Sequence, residues 1–280
     1  MFLKNYIKSG LSISATALQN FLDVTSGGPK HFLSNNILRF PEAKNQHAVY
    51  GTAIHKGLED FFKDYKFHGT YNKKILLKSF EESLEKDGLE PNITAELLAR
   101  GKENLEYFYS QATGKEYGEI HLEYRFNMDA SGVYLDDTRL SGAIDRIEIL
   151  QDGTLIVTDY KTGKGFASLD TKGKYGYDAI KAWKYRLQLT FYALLFSLSP
   201  RWAAFKKTQF QIIFVEKDRE TGECYEIVEY IQQAEVDRLV KILKKVVGKI
   251  KNLDFPDVSQ YSQDVKGIRE FEEDLLSGEI

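Results

Sequence analysis

The chain has 280 residues, of which 42% are hydrophobic and 28% charged, a composition typical of an ordinary soluble globular protein. No apolar run is long enough to cross a bilayer and Met1-Phe2-Leu3-Lys4 does not begin a signal peptide, so we expect a cytoplasmic protein without a membrane partner. The net charge of -3 excludes a uniformly basic nucleic-acid-binding protein, and the single cysteine, Cys224, excludes an internal disulfide and an all-cysteine metal site.

The first 49 residues predict a short helix followed by an irregular segment. A helix over residues 11–23 has a polar cap in Ser12 or Ser14 and apolar spacing after it. Residues 25–44 contain Gly-Gly-Pro and Phe-Pro steps, so we expect loops there, with one helical turn near residues 31–36.

A stronger helix is predicted from Tyr50 to Tyr65, with Thr52 as its cap and an apolar stripe at helical spacing. His55 lies at the edge of this stripe. A lone histidine in such a position is usually structural, so only its partners can assign it a metal-binding or catalytic role.

Residues 94–111 predict a further helix, and residues 121–127 alternate between apolar and polar side chains as a half-buried strand does. Glu123 lies on the polar side of that strand. It is a candidate ligand for a metal or a water molecule, and a surface salt bridge is an equally good interpretation.

Residues 140–164 read as two apolar strands joined by a tight turn, and each strand carries one acid where a hydrophobic residue is expected. These acids are Asp145 and Asp159. Because alternate side chains of a strand share a face, Lys161 points the same way as Asp159.

The length of the turn decides whether the two acids meet. A two-residue loop, 152–153, would place them on opposite faces of the hairpin. A three-residue loop, 151–153 with Gly153 in the left-handed region, sets Asp145 directly opposite Asp159. We predict the three-residue loop.

Two facing carboxylates repel each other unless a cation lies between them, and buried acids are normally neutralised, paired or bound to a metal. Oxygen ligands suit Mg²⁺ or Mn²⁺ rather than zinc, and Lys161 adds a positive charge for a nucleophilic water or a phosphate oxygen. The alternative is a hairpin whose acids lie on a solvated face. Apolar residues on the acids' own face, including Ile147 and Val157, argue against it.

The segment after the hairpin is a local basic patch that the net charge conceals. Aromatic residues are interleaved with its lysines, a combination typical of single-stranded nucleic-acid binding. A solvated loop is the alternative, but attachment directly beyond Lys161 favours contact with a substrate. The predicted DNA-binding residues are Lys164, Lys172, Lys174, Tyr175, Lys181 and Lys184.

The last hundred residues predict helices and strands in alternation. Residues 180–198 form a helix on which Gln188 and Tyr192, four positions apart, share a polar seam. The remaining predicted elements are strands at residues 208–216 and 223–231 and helices at residues 236–253 and 268–276.

Five of these segments, in this order, resemble the RecB-like branch of the PD-(D/E)XK nuclease superfamily. Residues 51–55, Gly-Thr-Ala-Ile-His, resemble its histidine helix, residues 142–147 its Gly-x-x-Asp-Arg strand, and residues 157–163 its Asp-Tyr-Lys-Thr-Gly signature. Gln188 and Tyr192 match its Gln-x-x-x-Tyr helix, and Ser12-x-Ser14 followed by Lys30-His31-Phe32-Leu33 resembles its N-terminal segment.

The resemblance implies an α/β (α+β) fold with a restriction-endonuclease-like core, in which helices flank a central mixed sheet of about five strands. It implies one domain over residues 1–280, with a core at about 50–231 on which an N-terminal segment (1–49) and C-terminal helices (232–280) pack. Relatives with an iron–sulfur cluster carry four cysteines near the chain ends, and these are missing here. We therefore expect no cluster, and packing of the 268–276 helix in place of that link.

By the same resemblance, Asp145 and Asp159 would ligate Mg²⁺ or Mn²⁺ together with His55 and the carbonyl of Tyr160. Lys161 would position the attacking water or stabilise the phosphate, while a helix carrying Gln188 and Tyr192 would brace the site and the DNA backbone. The implied protein is a metal-dependent exonuclease for single-stranded or end-bearing DNA in repair or recombination, with a helicase as a partner or a fused domain.

Two other functions fit the pattern less well. A catalytically idle DNA-end-binding or scaffolding module is the runner-up, but the acids that such modules lose are all present. A site-specific endonuclease of the restriction type is disfavoured by the histidine helix and by the helix that carries Gln188 and Tyr192.

Overall fold

A five-stranded mixed sheet lies at the centre of the computed structural model, which describes residues 10–41, 45–126, 132–218 and 220–280. The strands are β1 (Ser12–Ile13), β2 (Glu119–Arg125), β3 (Val133–Leu135), β4 (Thr138–Leu140), β5 (Ala143–Ile149), β6 (Leu155–Lys161), β7 (Thr208–Phe214) and β8 (Glu226–Glu229). The central sheet has the order β2-β5-β6-β7-β8, in which β6 and β7 run parallel and the other neighbours antiparallel. The predicted mixed sheet of about five strands is confirmed.

The helices form a layer on each face of this sheet. They are α1 (Ala15–Leu22), α2 (Gly28–Phe32), α3 (Gln46–His68), α4 (Lys73–Lys86), α5 (Pro91–Ala112), α6 (Gly176–Leu198), α7 (Gln233–Lys251) and α8 (Val265–Ser277). Helices α1, α6, α7 and α8 share one hydrophobic core with the sheet, and α3, α4 and α5 share another. Helix α6 connects β6 to β7, since parallel neighbours require a crossover. No helix among the described residues is both long and apolar enough to cross a membrane.

The β5–β6 hairpin has the predicted three-residue turn. Arg146 pairs with Thr158, so the next step of this register sets Asp145 opposite Asp159. Gly153 has a φ of 79°, in the left-handed region that glycine adopts without a Cβ clash. The turn therefore brings the two acids to one place, as the sequence predicts.

The two ends of the chain pack against each other. Phe21 of α1 stacks on Phe271 of α8 with 6.3 Å between ring centroids, and both rings are fully buried. Beside them, Lys30 Nζ lies 2.6 Å from Asp257 Oδ1. The predicted packing of the terminal helix against the N-terminal segment is confirmed, with aromatic stacking among its contacts.

The N-terminal segment is more regular than predicted. Ser12 and Ile13 form β1 instead of the start of a helix, and pair with β4 in a small sheet of order β1-β4-β3. The prediction of loops is wrong for residues 25–37, because residues 24–37 are almost continuously helical. It is right for residues 38–41, and the predicted helical turn near residues 31–36 lies within the helical run. Pro29 begins rather than breaks α2, since a proline in the first turn needs no N–H partner.

Helix α3 begins before the predicted Tyr50. Asn45 is its cap, with the side-chain oxygen accepting a hydrogen bond from the His47 N–H at 2.9 Å. The prediction of Thr52 as the cap is wrong, because Thr52 lies inside the helix and its hydroxyl donates to the Ala48 carbonyl at 3.0 Å.

Other boundaries shift by a few residues. Helix α6 starts four residues before the predicted position, and a separate α4 precedes the predicted α5. The predicted strand end at residue 127, the loop residues 42–44 and residues 1–9 lie outside the described part of the chain.

Candidate active site

The principal predicted site residues converge on one cavity of about 460 Å³ at the end of the β5–β6 hairpin. Here α3 and α6 approach the sheet from opposite layers. The cavity is lined by His55, Asp145, Asp159, Tyr160, Lys161, Gln188 and Tyr192, together with residues 14–16, Gly142, Ala143, Thr162 and Tyr185. Residues that are far apart in the sequence thus form one site.

Asp145 joins the histidine helix to the hairpin. Its Oδ1 lies 3.2 Å from His55 Nδ1, and its Oδ2 accepts a hydrogen bond from the Tyr160 N–H at 2.7 Å. Burial alone would lower the pKa of His55, but the hydrogen bond and charge of Asp145 outweigh burial and raise the pKa to about 9. His55 therefore has a specific acidic partner, which the sequence alone did not identify.

Asp159 is held by two residues of α6. Its Oδ1 accepts hydrogen bonds from Gln188 Nε2 and from the Tyr192 hydroxyl, each at 3.0 Å. Gln188 Nε2 also donates to the Tyr192 oxygen at 2.6 Å, which closes a three-membered network. Burial raises the pKa of Asp159 and raises that of Tyr192 well above its usual value, so the phenol stays protonated as a donor.

Lys161 completes this network from the same strand as Asp159. Its Nζ donates to Gln188 Oε1 at 2.7 Å and lies 2.8 Å from Asp159 Oδ2. The contact with Asp159 is an ion pair without hydrogen-bond geometry, and none of the described residues donates a hydrogen bond to that buried Oδ2. An oxygen in this state is suited to receive a cation.

Glu123 is brought to the site by the β2–β5 register. Leu122 pairs with Arg146 and Tyr124 with Ile144, so Glu123 lies opposite Asp145. Its φ of 45° falls in the left-handed region, a strain of about 1–3 kcal/mol in a residue with a side chain. This backbone position sets Glu123 apart from the rest of its strand.

The side chains of His55, Glu123 and Asp145 form a group with metal-ligand chemistry. One ligand atom from each lies within 4.8 Å of the other two. Burial and the charge of Asp145 raise the pKa of Glu123 to about 7, and no basic side chain among the described residues forms an ion pair with it. An imidazole nitrogen with carboxylate oxygens suits a divalent cation, so the residues present fit such an ion.

The predicted DNA-binding residues divide into two sets. Lys164, Lys172 and Tyr175 are exposed beyond the hairpin. Lys174 and Lys181 are half-buried, with their ammonium groups 5.6 and 5.8 Å from the ring centre of Phe166.

Lys184 does not belong with them. Its Nζ lies 2.6 Å from Oδ2 of the buried Asp23, and although burial acts to raise the pKa of Asp23, hydrogen bonds from Lys184 and Thr25 outweigh it and lower the pKa. The charge of Lys184 is therefore balanced by Asp23 within the fold, which argues against the predicted DNA contact.

Sequence reasoning missed Tyr185 and residues 14–16 as parts of the cavity wall. Tyr185 lies three positions before Gln188, and residues three apart on a helix share a face. That spacing was a usable signal. For residues 14–16 the signal was the resemblance of Ser12-x-Ser14 to the family's N-terminal segment, which does not by itself place them at the cavity.

The geometry agrees with a comparison against protein families. A family model describing the PD-(D/E)XK nuclease superfamily matches residues 12–262. None of the curated proteins compared with the chain matches it. Nucleases of this superfamily use divalent metal ions, which fits the histidine and carboxylate group in the cavity. The chain therefore belongs to the PD-(D/E)XK nuclease superfamily.

Proposed function

We propose that the chain is a Mg²⁺- or Mn²⁺-dependent deoxyribonuclease of the RecB-like branch, which degrades single-stranded or end-bearing DNA as an exonuclease in repair or recombination. The observation that carries the proposal is the convergence of His55, Asp145, Asp159, Lys161 and the α6 polar seam in one cavity. The same residues carry the resemblance to that branch.

In the proposed site, His55, Asp145, Asp159 and the Tyr160 carbonyl are the cation ligands, and Glu123 is an additional acid. A bound divalent cation would supply positive charge that activates the attacking water and neutralises charge on the phosphate.

The chain's own residues provide the rest of the chemistry. Gln188 and Tyr192 hold Asp159 through hydrogen bonds to its Oδ1, and its Oδ2 faces the Lys161 ammonium group. Lys161 places a second positive charge within the cavity, where it can hold a phosphate oxygen or the attacking water.

The proposed DNA path leaves the cavity along the segment that follows β6. Lys164 and Lys172 are exposed there, and Tyr175 is 86% exposed. A free aromatic ring beside lysines suits an unpaired strand, because a base can stack on the ring while its phosphates meet the charges. A helicase, fused or separate, is the proposed source of that strand, on the strength of the RecB-like resemblance.

Cleavage assays test this function directly. End-labelled linear and closed circular single-stranded DNA are incubated with the purified chain in Mg²⁺, Mn²⁺ or EDTA. We expect metal-dependent loss of the linear strand and survival of the circle. Cutting of the circle would replace exonuclease with endonuclease, and inactivity on every substrate would favour the idle DNA-binding module.

Duplex DNA tests the role assigned to a helicase. A blunt linear duplex, which has ends but no unpaired strand, should be degraded by the purified chain more slowly than the same DNA after its strands are separated by heating. Equal degradation before and after heating would show that no strand-separating partner is needed.

Lys161→Ala separates catalysis from metal binding. We expect cleavage to fall by at least about 10²-fold, the scale for a lost electrostatic contact in an active site, while Mn²⁺ binding by calorimetry is kept. Lys78→Ala, at a 73% exposed position on α4, is the matched control and should cleave normally. Loss of Mn²⁺ binding in Lys161→Ala would assign Lys161 a structural role instead.

A further inference from the structure

An aromatic cluster forms one wall beside the catalytic cavity. It consists of Phe166, Tyr185 and Phe214, with ring centroids 5.4 to 6.0 Å apart. Gly165 permits this packing, because a Cβ there would lie 2.9 Å from the Phe214 ring. Tyr185 is the member of the cluster that lines the cavity.

The face of Tyr185 carries the ammonium group of Lys161. The distance from Lys161 Nζ to the ring centroid is 4.8 Å, within the range of a cation–π interaction. Lys161 therefore has three contacts: the ring face, the Gln188 Oε1 and the Asp159 Oδ2. A lysine has a flexible four-carbon stem, so the position of its ammonium group depends on the contacts that this group makes.

These three contacts would no longer be equivalent once a divalent cation is bound in the cavity. Asp159 is a proposed cation ligand, and an oxygen shared with a cation attracts Lys161 less. Tyr185 and Gln188 remain, and both project from the same side of α6 because they are three positions apart.

We propose that Tyr185 is a positioning residue, which holds the Lys161 ammonium group in the catalytic cavity through the face of its ring. The inference rests on the proposed nuclease function, since it concerns how Lys161 is kept in place for catalysis. The contact uses the ring face and not the hydroxyl group, so phenylalanine should replace tyrosine here and an aliphatic residue should not.

Lys181 shares the same ring and must be separated from this role. Its Nζ lies 5.7 Å from the Tyr185 centroid and donates to the Lys164 carbonyl at 2.7 Å. If Tyr185 acted through Lys181, Lys181→Met would reproduce the kinetic effect of removing the ring. We expect Lys181→Met to weaken DNA binding, as a rise in KM, without the fall in kcat.

The kinetic test compares Tyr185→Phe, Tyr185→Leu and Tyr185→Met on single-stranded DNA in Mg²⁺. We expect the two aliphatic variants to lose roughly 3- to 30-fold in kcat with KM changed by less than about twofold, the range set by the strength of a cation–π contact. Tyr185→Phe should keep the wild-type kcat. Tyr230→Leu, at a 61% exposed position beyond β8, is the control for the same substitution elsewhere.

A second readout needs neither metal nor turnover. Acylation of Lys161 by an amine-reactive ester in EDTA is followed by mass spectrometry, with Lys78 as the internal standard. Labelling of Lys161 should accelerate in the aliphatic variants and not in Tyr185→Phe. Unchanged labelling, or a Tyr185→Phe variant as defective as Tyr185→Leu, would overturn the proposal. An inactive wild-type chain would instead refute the nuclease function, and the labelling would still decide the contact.

Discussion

The two sides of the candidate catalytic cavity differ in how many contacts their polar groups make with one another. On the α6 side, Asp159, Lys161, Gln188 and Tyr192 form a closed set of contacts between 2.6 and 3.0 Å. On the α3 side, His55, Glu123 and Asp145 share a single 3.2 Å contact within the trio, and two of the three are acids.

This difference distinguishes the charges that the fold already balances from those that a bound cation would balance. The α6 side is already neutralised, because Lys161 compensates Asp159 before any ion binds. On the α3 side the raised pKa of His55 keeps the imidazole protonated, so His55 balances one of the two carboxylates, and Glu123 has no basic ion-pair partner among the described residues. We infer that a cation stabilises the α3 side more than the α6 side, and the following variants test this.

Asp159→Asn should have the largest effect on activity and the smallest on the fold. The amide keeps an oxygen that can accept from Gln188 and Tyr192, but loses the charge and the second anionic oxygen. We expect cleavage to fall by at least about 10³-fold, while the midpoint of thermal unfolding does not fall, since a buried charge is removed. A markedly lower midpoint would mean that the ion pair with Lys161 stabilises the fold.

Glu123→Gln should weaken metal binding on the α3 side. We expect Mn²⁺ affinity, measured by calorimetry, to fall by about 10- to 100-fold, with no loss of thermal stability. Glu119→Gln is the matched control, because Glu119 lies on the same strand, is 64% exposed and pairs with His121. If both variants bind Mn²⁺ like the wild type, Glu123 is not a cation ligand.

Tyr192→Phe tests the α6 side by removing the two hydrogen bonds of the phenol, one donated to Asp159 Oδ1 and one accepted from Gln188 Nε2. Asp159 keeps the bond from Gln188, so the expected loss is partial: about 1–2 kcal/mol in the free energy of unfolding and about tenfold in cleavage rate. Chemical denaturation and initial rates measure the two quantities. A variant as inactive as Asp159→Asn would show that the phenol itself takes part in the chemistry.

Gly153→Ala should have the smallest effect on cleavage, because it acts on the turn alone. A Cβ at Gly153 would meet no atom within 4 Å, so only the left-handed φ of 79° is unfavourable, at about 1–2 kcal/mol of unfolding free energy. Gly153→Asn should cost less, since asparagine tolerates this region. Loss of cleavage beyond the loss of folded protein would mean that the register had slipped and parted the two acids.

The hairpin and the residues it carries could be predicted because both depend on local rules. Strand alternation set the faces of Asp159 and Lys161, and one turn length set Asp145 opposite Asp159. The family resemblance then linked His55, Gln188 and Tyr192 to the same place.

Long-range charge pairing could not be predicted from composition. Lys184 counted as part of a basic patch, although the buried Asp23, far away in the sequence, neutralises it. The left-handed backbone of Glu123 also has no sequence signal, because a glutamate in an alternating strand gives no warning of it.

Short elements escaped prediction for a different reason. Strands β1, β3 and β4 have two or three residues each, too few to show a period of two. Strands β3 and β4 form a local hairpin, and β1 joins it only because the fold brings residues 12–13 beside β4.

The stacking of Phe21 on Phe271 sets a condition on when the cavity can form during synthesis. Residues 14–16 line the cavity and belong to the N-terminal segment that this contact supports. A nascent chain would therefore carry the proposed catalytic acids before α8 is synthesised and packs against the N-terminal segment. If the proposed nuclease function holds, we expect a chain truncated before α8 to cleave DNA more slowly than the chain that carries α8.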